Sequence, residues 1–96
     1  MNEQITLIAV ENRKYVKAYE QAEEKQWTVN ADVKSPTRSE FYQSYKAGLK
    51  ASVVFKVYTD ELGNAEFVFY NNKRYKIIRT YITDVNYTEL TCSEVV

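Results

Sequence analysis

The order of apolar and polar residues along this chain has a period of two, the pattern of β-strands that bury one face. This alternation predicts strands over 4–11, 26–33, 51–58 and 87–94. The residues expected to point inward are Ile5, Leu7, Ala9, Trp27, Val29, Ala31, Val33, Val53, Phe55, Val57, Thr88, Leu90 and Cys92. In the first strand Ile8 and Val10 make the opposite face apolar too, so this strand is expected to be covered on both sides for part of its length.

Turn-forming residues divide the second half of the chain. Asn71 and Asn72 separate two β-rich runs, and paired asparagines favour the two-residue mirror-image turn of a tight hairpin because they tolerate positive φ. Gly63 and Asn64 predict a second turn or a longer loop for the same reason.

The segment between the first two strands is ambiguous. Residues 14–19 fit both helical spacing and strand alternation, and we favour a strand that leads into a mobile loop over 19–26. The chain then has six or seven strands, joined mostly by short antiparallel connections. Such a chain has to close its sheet or protect its edges, so a small barrel or a sandwich is expected.

One helix is predicted among the strands, over about residues 37–48. Thr37 and Glu40 have the spacing of a capping box, in which each side chain accepts a hydrogen bond from the backbone N–H of the other. Pro36 precedes this box, and Gly48 suits the left-handed conformation that ends many helices.

The predicted helix has one apolar stripe, which consists of Phe41, Tyr42, Tyr45 and Leu49. We expect this stripe to pack over an open end or face of the sheet, since a short helix needs tertiary contacts to persist. Truncating Phe41 to alanine should then cost about 3 kcal/mol. A compatible alternative is that the two tyrosines also contact a neighbouring subunit. The residues expected to face away are Ser39, Glu40, Gln43, Ser44 and Ala47.

Length and charge limit the classes of protein that fit. The 96 residues suit one domain, spanning 1–96. Thirteen Lys and Arg balance 13 Asp and Glu, so no global field attracts a polyanion. The longest apolar runs, 5–10 and 52–55, are too short for a membrane helix. A single cysteine and the lack of a signal-peptide pattern favour an intracellular protein.

The chain is poor in residues that carry chemistry. It has no histidine, the usual proton carrier near neutral pH and the commonest metal ligand. Cys92 is expected to be a small buried apolar group, and the adjacent carboxylates Glu23 with Glu24 and Asp60 with Glu61 are expected to be solvated. We therefore predict no enzyme activity, no catalytic or metal site and no cofactor.

Basic residues lie beside aromatic ones around Tyr75, where Lys73, Arg74 and Lys76 flank a predicted hairpin turn. Cations next to aromatic rings occur in nucleic-acid-binding proteins, but lysines also protect strand edges from aggregation. Specific nucleic-acid binding is not expected. The alternative function is a monomeric module of the oligonucleotide/oligosaccharide-binding type, in which tyrosines form a stacking platform.

The linear order of elements resembles a known family. The stretches "ADVKSPTRSEFYQSYKAG", "SVVFKVY", "FVFYNNKRYKI" and "TELTCSEV" are similar to the phage head–tail joining family, the small head-completion or stopper proteins of tailed bacteriophages and prophages. The resemblance covers nearly the whole chain and includes no catalytic motif.

The resemblance implies a β-barrel with an attached helix that forms a homo-oligomeric ring below the portal and adaptor proteins. The ring would close the DNA exit channel and dock the tail, in the virion and, during assembly, in the host cytoplasm. Such proteins can be monomeric before assembly. The residues expected to face the channel or a partner are Asp60, Glu61, Leu62, Gly63, Asn64, Glu23 and Glu24, and those expected between subunits are Tyr42, Tyr45 and Lys46.

Overall fold

A computed structural model describes the backbone of residues 2–16, 19–46 and 48–95, and the side chains of residues 2–10, 23–46 and 48–95. The strands of this part of the chain are β1 (Glu3–Val16), β2 (Tyr19–Lys34), β3 (Val53–Tyr58), β4 (Phe67–Tyr70), β5 (Lys73–Ile82) and β6 (Tyr87–Glu94). The helices are α1 (Arg38–Lys46) and α2 (Thr59–Leu62). The predicted mainly-β architecture with one substantial inserted helix is confirmed.

The strands close into an antiparallel barrel with the order β1-β2-β3-β6-β5-β4. Closure depends on a short ladder in which Thr6, Leu7 and Ile8 of β1 pair with β4. On the opposite side β3 pairs with β6, from Val53 with Cys92 to Tyr58 with Tyr87. Each strand thus has a partner on both edges over part of its length, although β2 pairs with β3 only over Asp32–Lys34 and has its other ladder partners in β1.

The barrel interior is filled mainly by residues that the alternation predicted to point inward, together with Val68 and Tyr75, for which no face was predicted. The core cluster consists of Ile5, Leu7, Val29, Ala31, Val53, Phe55, Val57, Val68, Tyr75, Leu90 and Cys92. Phe55 is fully buried, and its ring makes edge-to-face contacts with Tyr70 and Tyr75 at centroid distances of 5.5 and 5.8 Å. Ile8 is also buried, which confirms that β1 is covered on its second face over part of its length.

Positive φ angles occur at the predicted turns. Asn71 and Asn72 have φ of 53° and 62°, so β4 and β5 are joined by the two-residue mirror-image turn expected from the sequence. Gly63 has φ of 55°. The ring of Trp27 lies 3.4 Å from where a Cβ would be, an ordinary van der Waals distance, so it is the positive φ that favours glycine at this position.

The prediction of a loop over 19–26 is wrong, because these residues belong to β2. The ladder between β1 and β2 continues to the pair Val16 and Tyr19, so the two strands form one long hairpin. The sequence of residues 20–26, "EQAEEKQ", is almost entirely polar, so it has no apolar alternation from which a strand could be predicted. The described residues of 14–19 are strand, as favoured above, and residues 17 and 18 lie outside the described part.

Cys92 is buried in the barrel, as predicted, and burial raises the pKa of its thiol to about 12. Since the thiolate is the reactive form, we expect the native protein to resist a thiol reagent such as dithiobis-nitrobenzoate at pH 8. The same sample in 6 M guanidinium should react with one equivalent within minutes. Equal rates in the two conditions would contradict the burial of this thiol.

Candidate protein-interaction surface

Helix α1 begins and ends where its sequence signals predict. The Thr37 N–H donates to Glu40 Oε1 at 3.1 Å, and the Glu40 N–H donates to Thr37 Oγ1 at 3.2 Å, which completes the capping box. At the other end Gly48 has φ of 78°, and the N–H of Leu49 donates to the Ser44 carbonyl at 2.9 Å. The termini are therefore fixed by local chemistry.

The side of α1 that contacts the barrel is the polar one. The Thr91 hydroxyl donates to Glu40 Oε2 at 3.0 Å, and Arg79 Nη1 donates to Gln43 Oε1 at 2.7 Å. The N–H of Ala51 donates to Ser44 Oγ at 3.2 Å. Three helix residues that were expected to face away thus hold α1 against the outer surface of the barrel.

The apolar stripe of α1 points to solvent, so its expected packing over the barrel is wrong. Phe41, Tyr42 and Tyr45 are between 39% and 68% exposed. Leu49, which follows the helix, is 42% exposed and lines a cleft between α1 and the barrel beside Ile78 and Arg79. The barrel interior is already filled by its own strands, and the strand surface under the helix offers the hydrogen-bonding groups of Thr91 and Arg79. Polar helix residues satisfy those groups, which leaves the aromatic residues outward. We call Phe41, Tyr42 and Tyr45 the aromatic helix face.

The rings of the aromatic helix face are already arranged against one another. Phe41 stacks on Tyr45 with centroids 6.2 Å apart and planes at 18°, and it contacts Tyr42 edge-on at 6.4 Å. Rigid aromatic side chains that are ordered before binding lose little entropy when a partner covers them. Aromatic residues are also enriched in protein interfaces, so this face suits contact with another protein.

Exposed cations accompany these rings. Arg38 lies three and four positions before Phe41 and Tyr42, and Lys46 lies four positions after Tyr42, spacings that place neighbours on one side of a helix. The acidic residue of the helix, Glu40, is turned towards the barrel. Sequence reasoning named Lys46 but missed Arg38, although its spacing to the aromatic residues was visible.

The carboxylate of Glu40 links the helix cap to the barrel. Burial by itself raises its pKa, but hydrogen bonds from Thr37 and Thr91, with Lys34 nearby, outweigh burial and lower the pKa below the ordinary value of 4.5. A carboxyl whose pKa is depressed on folding stabilises the fold fully above its unfolded pKa, and this stabilisation is lost as pH falls through the folded value.

Replacing Glu40 with glutamine should therefore have a pH-dependent effect. The amide keeps an acceptor but loses the charge, so the variant should be less stable than the wild type at pH 7. The difference should shrink as the pH falls below about 4.5, where the wild-type carboxylate becomes protonated. Urea unfolding between pH 7 and pH 3 measures both quantities. A stability difference that stays constant to pH 3 would argue against the charged contact.

The segment 60–64 closes against the barrel while showing its carboxylates to solvent. The indole Nε1–H of Trp27 donates to the Glu61 carbonyl at 2.8 Å, and Leu62 packs against the core cluster. Asp60 and Glu61 are exposed, as are Gly63 and Asn64. These contacts hold the segment against the barrel, with Leu62 on its inner side. We call residues 60–64 the 60–64 lid.

The second predicted loop pair, Glu23 and Glu24, lies on β2. Both residues are exposed. The Glu24 carboxylate accepts hydrogen bonds from Arg74 at 3.0 and 3.4 Å, and the Arg74 guanidinium lies 4.4 Å from the Phe67 ring centroid. Glu24 therefore anchors the hairpin to β5, and Arg74 is occupied within the molecule.

A tyrosine pair on β3 and β6 is the nearest approach to a stacking platform. Tyr58 and Tyr87 stack with centroids 5.1 Å apart, and Lys56 Nζ lies 4.7 Å over the Tyr87 ring. A hydrogen bond with Tyr58 raises the pKa of Tyr87, and the carboxylates of Asp84 and Asp32 raise it further. Each ring already covers one face of the other, so the pair is only partly free to stack on a base. The side chains of Tyr15 and Tyr19 lie outside the described part.

Other sites are limited among the described side chains. They contain no group of three or more His, Cys, Asp or Glu residues that could hold a metal ion. No helix in the described part of the chain is long and apolar enough to cross a membrane. The expected absence of enzyme activity and of a cofactor stays a prediction.

A scan against protein-family models and a search of the curated proteins both find no match for this chain. The function is therefore inferred from the aromatic helix face and the charges around it.

Proposed function

We propose that this protein is a structural assembly protein of a tailed bacteriophage or prophage that joins the head to the tail. Identical copies form a ring below the portal and adaptor proteins, close the DNA exit channel and dock the tail. Its place is the head–tail interface of the virion and, during assembly, the host cytoplasm. The observation that carries the proposal is a rigid closed barrel whose single substantial helix turns its aromatic face outward.

The orientation of the helix supports a role in assembly. Exposing three large aromatic side chains to water gives up part of the stabilisation that their burial would provide, roughly 1.5–3 kcal/mol for each full side chain. The polar contacts of Glu40, Gln43 and Ser44 hold the helix in this orientation. A helix fixed with its aromatic residues outward is suited to a partner that covers them.

The hairpin of β1 and β2 continues as a two-stranded arm beyond the ladder between β1 and β4. From Ala9 to Val16 the ladder partners of β1 lie in β2 alone, whereas Thr6 to Ile8 also pair with β4. At about 3.3 Å per residue this arm continues more than 20 Å past the barrel ladder. In a ring, such an arm can contact a neighbouring copy or extend along the channel.

The negative charge of the 60–64 lid suits a channel through which DNA passes. Its exposed carboxylates, Asp60 and Glu61, would repel DNA that passes through the ring without being read. Replacing both by lysine should change the retention of packaged DNA in reconstituted particles. The same retention in the variant would count against a channel-facing lid.

Binding to a purified portal–adaptor complex tests the proposal. The expected result is a saturable complex at micromolar protein, detected by gel filtration, which survives in 0.2 M salt. A control titration uses single-stranded DNA, for which an assembly protein should show no binding. Salt-dependent DNA binding without portal–adaptor binding would instead favour the oligonucleotide-binding alternative.

A further inference from the structure

A second exposed apolar patch lies at the end of the β5–β6 hairpin. β4 pairs with β5 only over Lys73–Lys76, so the distal half of β5 pairs with β6 alone, whereas β6 stays paired with β3 as far as Tyr87. One edge of β5 is therefore open towards its end, and the turn that follows lies at the rim of the barrel. At the end of the hairpin Ile82 and Val85 are 66% and 91% exposed. Tyr81, 58% exposed, points to the other face of the strand and lines a cleft beside Glu40 and Gln43 of α1. We call residues 81–86 the hairpin tip.

The hairpin tip is acidic where the helix face is basic. Its charged residue is Asp84, whose Oδ1 accepts hydrogen bonds from the N–H groups of Asn86 and Tyr87 at 2.7 and 3.2 Å and so fixes the turn. The aromatic helix face instead carries Arg38 and Lys46. Each patch therefore has exposed apolar side chains and a charge opposite to that of the other patch.

These two patches cannot cover each other within one molecule. Gln43 accepts a hydrogen bond from Arg79 of β5, so the polar side of α1 faces this hairpin. The aromatic helix face lies on the opposite side of the helix, where Phe41, Tyr42 and Tyr45 point to solvent. A second copy of the chain, however, can bring its tip to this face without any change in either fold.

We infer that the aromatic helix face binds the hairpin tip of a second copy of this chain, with Asp84 of the tip near Arg38 and Lys46 of the helix. Each copy then offers its helix to one neighbour and its tip to the other. Such a head-to-tail contact generates a closed ring when the rotation between copies closes. This contact would join the subunits of the proposed ring. The ring itself rests on the proposed function, whereas the contact between two copies does not.

The size of the patches predicts a weak contact. A stable interface buries about 800 Å² on each partner, which is more than three helix side chains and one hairpin tip provide. We expect self-association of the isolated protein at high micromolar to millimolar concentration. In a complete ring each copy makes two such contacts on a shared template, and avidity strengthens the assembly.

Sedimentation velocity over about 10 μM to 1 mM is the first test, since it covers the range of weak association. The wild type should self-associate. Changing Tyr42 and Tyr45 to serine should weaken association at least about tenfold, and so should Val85→Ser. Val95→Ser is the matched control, because Val95 is also an exposed valine but lies outside both patches. Equal melting temperatures would show that all variants are folded.

A mixing experiment then tests the pairing of the two patches. The Tyr42/Tyr45 variant keeps its tip and the Val85→Ser variant keeps its helix face, so an equimolar mixture should form a heterodimer that neither variant forms alone. Asp84→Asn, which retains the acceptor of the turn, should weaken association and reduce its dependence on salt.

Three results would overturn the inference: a wild type that is monomeric at 1 mM, a Val85→Ser variant that associates as the wild type does, or a mixture that stays monomeric. The portal–adaptor titration is independent of these outcomes. Intact portal–adaptor binding with no self-association would remove the inferred contact and leave the proposed function, whereas the reverse would remove the function and leave the contact.

Discussion

Replacing Phe55 with alanine is expected to lower the free energy of unfolding by about 3–5 kcal/mol, as for other fully buried aromatic side chains. Phe55 is 0% exposed and lies edge-on to Tyr70 and Tyr75, so its removal leaves a cavity that two fixed rings cannot fill. A domain of this size is stable by only about 5–15 kcal/mol. Urea unfolding followed by circular dichroism gives the difference directly.

Phe41 provides the matched control for Phe55. The same substitution at Phe41 should cost less than about 1 kcal/mol, because the ring lies on the solvent side of α1. This value replaces the 3 kcal/mol that an inward-packed stripe would imply. If Phe41→Ala and Phe55→Ala were equally destabilising, the orientation of the helix described above would be wrong.

Replacing Trp27 with alanine should lower the free energy of unfolding by about 2–3 kcal/mol, less than for a fully buried aromatic residue. The indole packs against the core cluster, borders Gly63 and donates to the Glu61 carbonyl, so its loss removes the support of the 60–64 lid. Amide hydrogen exchange should then accelerate in residues 59–64 more than in β6.

A Trp27→Phe variant separates packing from hydrogen bonding. Phenylalanine keeps a ring against the core but cannot donate to Glu61, and a lost hydrogen bond of this kind costs about 0.5–1.5 kcal/mol. The lid should stay closed in this variant. Hydrogen exchange as fast as in Trp27→Ala would mean that the hydrogen bond, not the ring, holds the lid.

Strand positions and helix boundaries could be predicted from the sequence because both depend on local chemistry. Alternation placed Val53, Phe55 and Val57 inside, since period two on a strand allows only two choices of face. The capping box of Thr37 with Glu40 and the paired asparagines at 71 and 72 act within a few residues of their own position. No knowledge of the rest of the fold is needed for such signals.

The orientation of α1 could not be predicted because it is decided by distant residues. Apolar residues usually face the core, so the aromatic stripe was expected to face the barrel. Thr91 and Arg79, which bind the polar side instead, are far along the chain from Glu40 and Gln43. The sequence therefore identified three residues of the candidate surface, Tyr42, Tyr45 and Lys46. It did so, however, with the apolar side of the helix expected to face the barrel.

The long β1–β2 hairpin escaped prediction for a different reason. Its outer half pairs with no third strand, and the sequence of residues 20–26, "EQAEEKQ", has no apolar alternation that would indicate a strand. Glu24 even appeared to belong to a solvated loop, although its carboxylate binds Arg74 of β5. Likewise the hairpin tip lacks a periodic pattern, and only the exposure of Ile82 and Val85 in the folded protein makes it a candidate surface.

Barrel closure through β1 and β4 has a consequence for synthesis on the ribosome. Ile8 of β1 pairs with Phe67 of β4. β1 is therefore synthesised long before β4, its partner on this edge. At about 5–20 residues per second this interval lasts several seconds. During it β1 can pair with β2, but its edge towards β4 stays open, and folding dominated by such distant pairings is slow. The newborn polypeptide should therefore depend on chaperones more than its small size suggests.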